Sequence, residues 1–195
     1  MASLIVSPEN QIQRLNAVLA EVEQLQKLDL QTLSTPPGPK SWSIVEVLEH
    51  LNVAYGLYRQ KLDQLLKDAP EIQKDSNTFK VRTWQKMIIN IQRPKGGVRK
   101  WKMKTLKRFE PLLNRQGLDE KTVAGIFISF FDAHLHLKDC ILQSRGKDVS
   151  QQQVTSAIGP LVKFYPPEAF EFLLSHLERH MAQIDEILQK KEVSA

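Results

Sequence analysis

Cysteine is nearly absent from the sequence, and no apolar run is long. The single cysteine, Cys140, excludes an internal disulfide and is typical of a reducing compartment, so we expect a cytoplasmic protein. The most apolar stretch, GIFISFF at 125–131, is far shorter than the roughly 20 residues that cross a bilayer, so we expect no membrane span. Because Cys140 lies in an apolar helical pattern, we expect a buried, unreactive thiol rather than a nucleophile.

Several common catalytic motifs are missing as well. The sequence has no glycine-rich phosphate loop and no serine-centred nucleophile elbow. No stretch keeps the period-two alternation of a half-buried strand, so strands are not expected. The length of 195 residues, 42% of them hydrophobic, predicts a single domain over 1–195 with a sizeable core. The sequence also shows no serine, cysteine or lysine nucleophile with a dedicated base.

Helix-start signals and apolar residues at intervals of three and four predict four long helices. The starts carry capping residues, prolines or acids in the first turn, such as the capping box of Ser43 and Glu46. We predict long helices over 7–28, 43–67, 119–146 and 166–189, and shorter ones within 79–91 and 148–160. This pattern indicates an all-α four-helix bundle with long connections. Between its second and third helices lies an irregular, partly helical, basic excursion.

The excursion has no acidic residue from Lys80 to Arg108. It holds eleven of the 27 basic residues, so the rest of the chain, with 16 basic and 22 acidic residues, is net acidic. One interpretation is a phosphate-binding or nucleic-acid-binding patch in which Trp84 and Trp101 stack. The commoner one is a face that is solvated or pairs with acids of the same chain or of a dimer mate, so nucleic acid is not the expected partner. The basic surface of 80–108 nevertheless carries the alternative hypothesis, a non-catalytic interaction module. The patch would centre on Lys100, Lys102, Lys104, Lys107 and Arg108.

Three histidines lie on the flanks of apolar helical stripes. His176 and His180 are four residues apart on the last helix, so both imidazoles project from one face. His50 has a similar position on the second helix, and neighbouring helices of a bundle can aim such residues into one cavity. Three neutral imidazoles fit a divalent ion such as Zn²⁺ or Ni²⁺ and leave positions for water or substrate. From spacing alone, the alternative of three solvent-facing rim histidines stays open.

Polar neighbours of these histidines have two interpretations each. Gln183, one turn beyond His180, could hydrogen-bond a ligand at the site and is the candidate catalytic residue, or it is a partly exposed polar side chain. Glu46 and Glu49 flank His50 and could orient its ring. For the two glutamates, solvation at the surface is the commoner role.

Two further histidines lie in the third helix. His134 falls within the apolar face, and we expect a core histidine bonded to a neighbour rather than a fourth metal ligand. His136, two residues on, is expected on the opposite, polar side beside Asp132 and Asp139, and we assign it no role.

Two blocks of sequence resemble the DinB superfamily, particularly its YfiT-like branch. SWSIVEVLEHLNVAY at 41–55 is similar to the tryptophan-containing entry to the family's second helix, with its first metal-binding histidine at His50. SHLERHMAQIDEIL at 175–188 is similar to the last helix, with two metal-binding histidines at His176 and His180. The resemblance covers nearly the whole chain, although the basic excursion has no obvious family signature. It implies a DinB-type bundle with a three-histidine divalent-metal site.

The resemblance also implies a function. Such proteins are often dimeric, and several branches have thiol-dependent transferase or isomerase activity. We therefore expect a metal-dependent enzyme, a transferase using a low-molecular-weight thiol or a hydrolase, that acts on a small molecule and forms a homodimer.

Overall fold

The computed structural model describes residues 3–73, 78–99 and 104–194, with side chains as far as residue 191. The described residues form long helices α1, α3, α5 and α6 and short helices α2 and α4. Their bounds are Pro8–Leu25 (α1), Leu30–Ser34 (α2), Ile44–Asp68 (α3), Thr83–Gln92 (α4), Glu120–Gln143 (α5) and Pro166–Ser194 (α6). The predicted all-α bundle is confirmed. None of the helices among the described residues is both long enough and apolar enough to span a bilayer.

The predicted caps start three of the long helices. The Ser7 and Asp119 side chains accept hydrogen bonds from the first turns of α1 and α5. Ser43 and Glu46 form the complete capping box of α3. Because each cap satisfies backbone N–H groups that a helix start leaves unpaired, these short motifs fix where the helices begin.

Helix α3 is the centre of the bundle. It packs against both α5 and α6, while α1 covers α5 and α6 from the other side, and the short α4 lies on α6. The core joins all of these helices, and Tyr58, Phe130 and Phe170 are among its fully buried side chains. The pairing of α3 with α6 matters most for function, because these two helices carry the three candidate ligands.

The structure corrects three sequence predictions outside the long helices. Two-residue strands are present: β1 (Ile5–Val6) pairs with β2 (Phe79–Lys80), and β3 (Val154–Thr155) pairs with β4 (Lys163–Phe164). The helix expected within 79–91 begins only at Thr83, after β2. Residues 148–160 contain β3 and turns instead of the predicted helix.

Local hydrogen bonds explain why 148–160 is not helical. The Asp148 carboxylate accepts from the backbone N–H of Ser150, as in a turn, and from the side chain of Gln151, rather than from a backbone N–H three positions on as in a helix cap. Farther along, the Tyr58 hydroxyl bonds to Ser156 Oγ and accepts from the Ala157 N–H. The Tyr58 side chain of α3 therefore holds this loop against the bundle.

Arginines of the basic excursion pair with glutamates of α6. Three such pairs are formed between the described residues: Arg82 with Glu168, Arg93 with Glu171, and Arg99 with Glu186. Glu168 and Glu171 are fully buried, so these pairs fasten the excursion over the last helix. This confirms the interpretation that the basic run pairs with acids of the same chain. Lys100, Trp101 and Lys102, named for the alternative patch, lie outside the described residues.

Candidate metal centre

The structure brings together the three histidines that the sequence singled out. His50 projects from α3, and His176 and His180 project from adjacent turns of α6. The Nε2 atom of His50 lies 3.3 Å from that of His176 and 3.1 Å from that of His180. The two α6 histidines have their Nε2 atoms 3.1 Å apart. Three nitrogens therefore converge on one point between the two helices.

Hydrogen bonds on the far sides of two rings set their tautomers. His50 Nδ1 is 2.5 Å from the carbonyl oxygen of Phe109, which can only accept, so Nδ1 carries the proton. His180 Nδ1 is 3.0 Å from Gln183 Oε1. The same Oε1 accepts a 2.6 Å hydrogen bond from Arg99, an obligatory donor, which fixes the orientation of the Gln183 amide. His180 Nδ1 is therefore also the protonated nitrogen.

These tautomers point unprotonated Nε2 atoms at each other. With Nδ1 protonated, the 3.1 Å contact between the Nε2 atoms of His50 and His180 joins two acceptors without a proton between them. Such a contact is repulsive unless a cation lies between the nitrogens. Around an ion with Zn–N bonds of about 2.0–2.1 Å in tetrahedral geometry, neighbouring ligand nitrogens are about 3.3 Å apart. The observed spacings agree with that value, so the residues fit a divalent metal.

Burial keeps the three imidazoles in the neutral form that binds metals. Burial lowers the pKa of His50, and burial followed by the neighbouring imidazole of His50 and by Arg179 lowers the pKa of His176 to about 3. Burial is also the main cause that holds the pKa of His180 well below its usual range, with further contributions from His176 and His50. All three rings are consequently ligands rather than cations at neutral pH.

The histidines line a cavity of about 780 Å³. Its apolar wall comes from α3, α4, α6 and the connections beside them, and includes Trp42, Ile88, Phe109, Phe172, Leu173 and Ile187. Its charged lining is mainly basic. A cavity of this size and character is typical of a small-molecule site, so the converging nitrogens are reachable by a ligand.

A family model described as the DinB superfamily matches residues 11–184. The chain belongs to the DinB superfamily. No curated protein and no solved structure matches it. The DinB superfamily consists generally of metal-dependent enzymes, and the three-histidine cluster of this chain is consistent with a metal-associated member.

Gln183 has a different place from the one its sequence position suggested. The sequence suggested a side chain that bonds to a ligand in the cavity. In the structure, its Oε1 accepts hydrogen bonds from His180 Nδ1 and from Arg99. It therefore orients a candidate ligand of the DinB site from behind, as outer partners of metal-binding histidines do. Whether it takes part in catalysis stays a prediction.

Neither glutamate beside His50 orients its ring, and the solvated position that the sequence favoured is wrong for Glu46, which is 5% exposed. The Glu46 carboxylate accepts from the Ser43 N–H and from Arg115, so it serves the helix cap. Glu49 accepts from Asn52. The backbone carbonyl of Phe109 takes their place, and the Trp42 ring packs 5.0 Å from that of His50. A backbone acceptor 59 residues away has no side-chain signal in the sequence, so sequence reasoning missed it.

The two histidines of α5 have different surroundings. His134 is 1% exposed and its Nδ1 bonds to the Phe130 carbonyl at 2.6 Å, so the prediction of a core histidine is confirmed. Burial lowers the pKa of His134 to about 4. His136 was wrongly placed on the polar side, because it lies between α5 and α3. Its Nδ1 is 2.7 Å from the Tyr55 hydroxyl and its Nε2 is 2.7 Å from Asp63.

Proposed function

We propose that this DinB protein is a metal-dependent enzyme whose divalent ion, Zn²⁺ or Ni²⁺, is held by His50, His176 and His180. The observation that carries the proposal is the convergence of three Nε2 atoms at 3.1–3.3 Å with two of them fixed as acceptors. The Phe109 carbonyl and the Gln183 amide hold two of the rings in that orientation.

The reaction proposed is transfer to or from a low-molecular-weight thiol. A divalent ion in such a site lowers the pKa of a water or thiol that it binds, which supplies a nucleophile near neutral pH. Among the described residues, the cavity lining has no cysteine, and Cys140 is buried elsewhere. The attacking group would then come from a second small molecule, and a volume of about 780 Å³ has room for both a thiol and a small substrate.

Metal content tests the proposal. We expect purified protein to hold about one divalent ion per chain, and the double variant His176→Ala, His180→Ala to hold none. His136→Gln is the matched control, because His136 is a half-buried helical histidine outside the cluster. Elemental analysis of the three proteins would refute the site if the double variant kept as much metal as the other two.

The choice between transferase and hydrolase needs an activity measurement. Metal-loaded protein is incubated with an electrophilic or ester substrate, with and without low-molecular-weight thiols, and the products are identified by mass spectrometry. Thioether products that need both the metal and the thiol support the transferase. Metal-dependent products that incorporate water without thiol would show a hydrolase instead.

The homodimer expected of the family is also a proposal. Helix α5 exposes Ile128, Leu135 and Leu142 at seven-residue intervals, on one face of the helix. An exposed apolar stripe of this kind is typical of a helix that packs against a second copy. Light scattering should give a dimer mass for the natural protein and a monomer mass for Leu135→Glu. A monomeric natural protein would refute the proposal.

The interaction-module alternative has less support. Arg82, Arg93 and Arg99 of the basic excursion already bond to glutamates of α6. Salt-dependent retention on a phosphate or nucleic-acid resin would revive this alternative if neutralising Lys104, Lys107 and Arg108 abolished the retention.

A further inference from the structure

Two arginines lie in the cavity wall beside the histidines. Arg99 comes from the connection after α4, and Arg179 precedes His180 on α6. Arg179 is 5% exposed, and the Arg99 side chain is 14% exposed. Both guanidinium groups are thus largely removed from bulk water, and this strengthens their attraction for an anion that enters the cavity.

Arg99 is bound tightly by groups of α6. Its Nε and Nη2 donate to the two carboxylate oxygens of Glu186 at 3.1 and 2.6 Å, and its Nη1 donates to Gln183. A paired contact of this kind fixes both the position and the plane of the guanidinium.

Arg179 lines the same cavity as Arg99 and Glu186. Burial lowers the pKa of Arg179, repulsion from Arg99 lowers it further, and Glu186 acts in the opposite direction. Arg99, Arg179 and Glu186 all line the cavity, so this part of the wall carries two positive charges and one negative charge.

The rest of the lining does not compensate for that charge. Among the described residues of the lining there are five basic side chains and two acidic ones, an excess of three positive charges. The three imidazoles are neutral, and a divalent ion would add to the excess. The basic members are Lys40, Arg99, Lys104, Arg179 and Lys190, and the acidic members are Glu110 and Glu186.

Much of the remaining lining is apolar, so the complementary ligand has two parts. We infer that the substrate of this cavity is a small organic acid, whose carboxylate binds at Arg179 beside Arg99 and whose apolar body packs against Ile88, Phe172 and Ile187. Arginine suits this role because its planar donors match a carboxylate. The inference rests on the proposed function only in taking the cavity as the substrate site.

Binding of a matched pair of probes tests the charge preference. We would titrate zinc-loaded full-length protein with 4-phenylbutyrate and with its neutral amide, 4-phenylbutanamide, by calorimetry. The acid should bind about ten- to a hundredfold more tightly, as expected for a charge-assisted hydrogen bond that the amide cannot make. Equal affinities, or no binding of either compound, would overturn the inference.

Variants assign the preference to the arginine. Arg179→Gln should bring the ratio of the two affinities close to one, and Arg179→Lys should keep part of it. Arg59→Gln is the control, since Arg59 bonds to Asp132 away from the cavity and carries the same charge change. Circular dichroism checks folding, and Arg99→Gln replaces Arg179→Gln if the latter does not fold. A preference that survives the loss of either arginine would overturn the inference.

Metal-free protein separates this inference from the metal centre, because a bound ion also attracts carboxylates. The preference for the acid should persist after the metal is removed by a chelator, and its disappearance would overturn the inference. Zinc binding without any preference for the acid sinks this inference alone. A preference for the acid in a protein that binds no metal sinks the proposed metal centre alone.

Discussion

Among the described residues, two clusters bring three potential metal ligands within 4.8 Å of one another, and they differ in the direction of their hydrogen bonds. In the cluster of His50, His176 and His180, outside acceptors take the Nδ1 protons of two rings, so the Nε2 lone pairs face inward. In the second cluster, which consists of Asp63, His136 and Cys140, both ring nitrogens of His136 are bonded to Asp63 and Tyr55.

The thiol of the second cluster is also in the wrong state for a metal. Burial is the main cause that raises the pKa of Cys140 to about 12, and the carboxylates of Asp63 and Asp139 add to it. Because only the thiolate binds metals well, this site would have to remove a proton and break two hydrogen bonds first. The comparison teaches that potential ligands can lie close together without forming a metal site. The direction of their hydrogen bonds decides whether their lone pairs are available to a metal.

The largest effect that would test this contrast is in the reactivity of Cys140. A pKa of about 12 instead of 9.0 leaves about a thousandfold less thiolate at neutral pH, because the thiolate fraction falls tenfold per unit. Folded protein should therefore react with a disulfide reagent at least that much more slowly than urea-unfolded protein, and the rate should keep rising with pH beyond 9. Similar rates for the two forms would mean that the second cluster is open and activated.

The second-largest expected effect is that of removing one candidate metal ligand. His50→Ala should weaken zinc binding by more than the about 10- to 100-fold that loss of an outer hydrogen bond costs. Asp63→Asn should leave the zinc affinity unchanged, because Asp63 belongs to the second cluster. Competition with a chromogenic chelator measures both constants. The proposed difference between the two clusters would be wrong if Asp63→Asn weakened zinc binding as much as His50→Ala does.

The smallest of the three effects concerns Gln183. Gln183→Leu removes the acceptor for His180 Nδ1, which frees the ring to turn, and it should weaken zinc binding about 10- to 100-fold. Gln189→Leu on the exposed side of the same helix is the control. An unchanged zinc affinity in Gln183→Leu would show that the ring does not need this partner.

The sequence was informative where the deciding interactions are local. Capping residues such as Ser43 and Asp119 act within one helical turn, so three long helices start where predicted. The spacing of His176 and His180 likewise lies within one turn of helix, and the family resemblance supplied the link to His50. The core position of His134 followed from its apolar neighbours.

The rest depended on contacts between distant segments. The Phe109 carbonyl reaches His50 across 59 residues, and Arg99 reaches Gln183 across 84, and neither contact has a local pattern. His136 was misplaced because helical spacing gives a direction but not the reach of Tyr55 and Asp63 from the neighbouring helix. The short strands pair segments far apart in the chain, as β1 does with β2, so period-two patterns of two residues could not reveal them.

A crystal structure with anomalous diffraction at the zinc or nickel edge tests the central claim most directly. The account predicts one anomalous peak about 2.0–2.1 Å from the Nε2 atoms of His50, His176 and His180. A peak at Asp63, His136 and Cys140 instead, or no peak from protein crystallised with the metal, would contradict it.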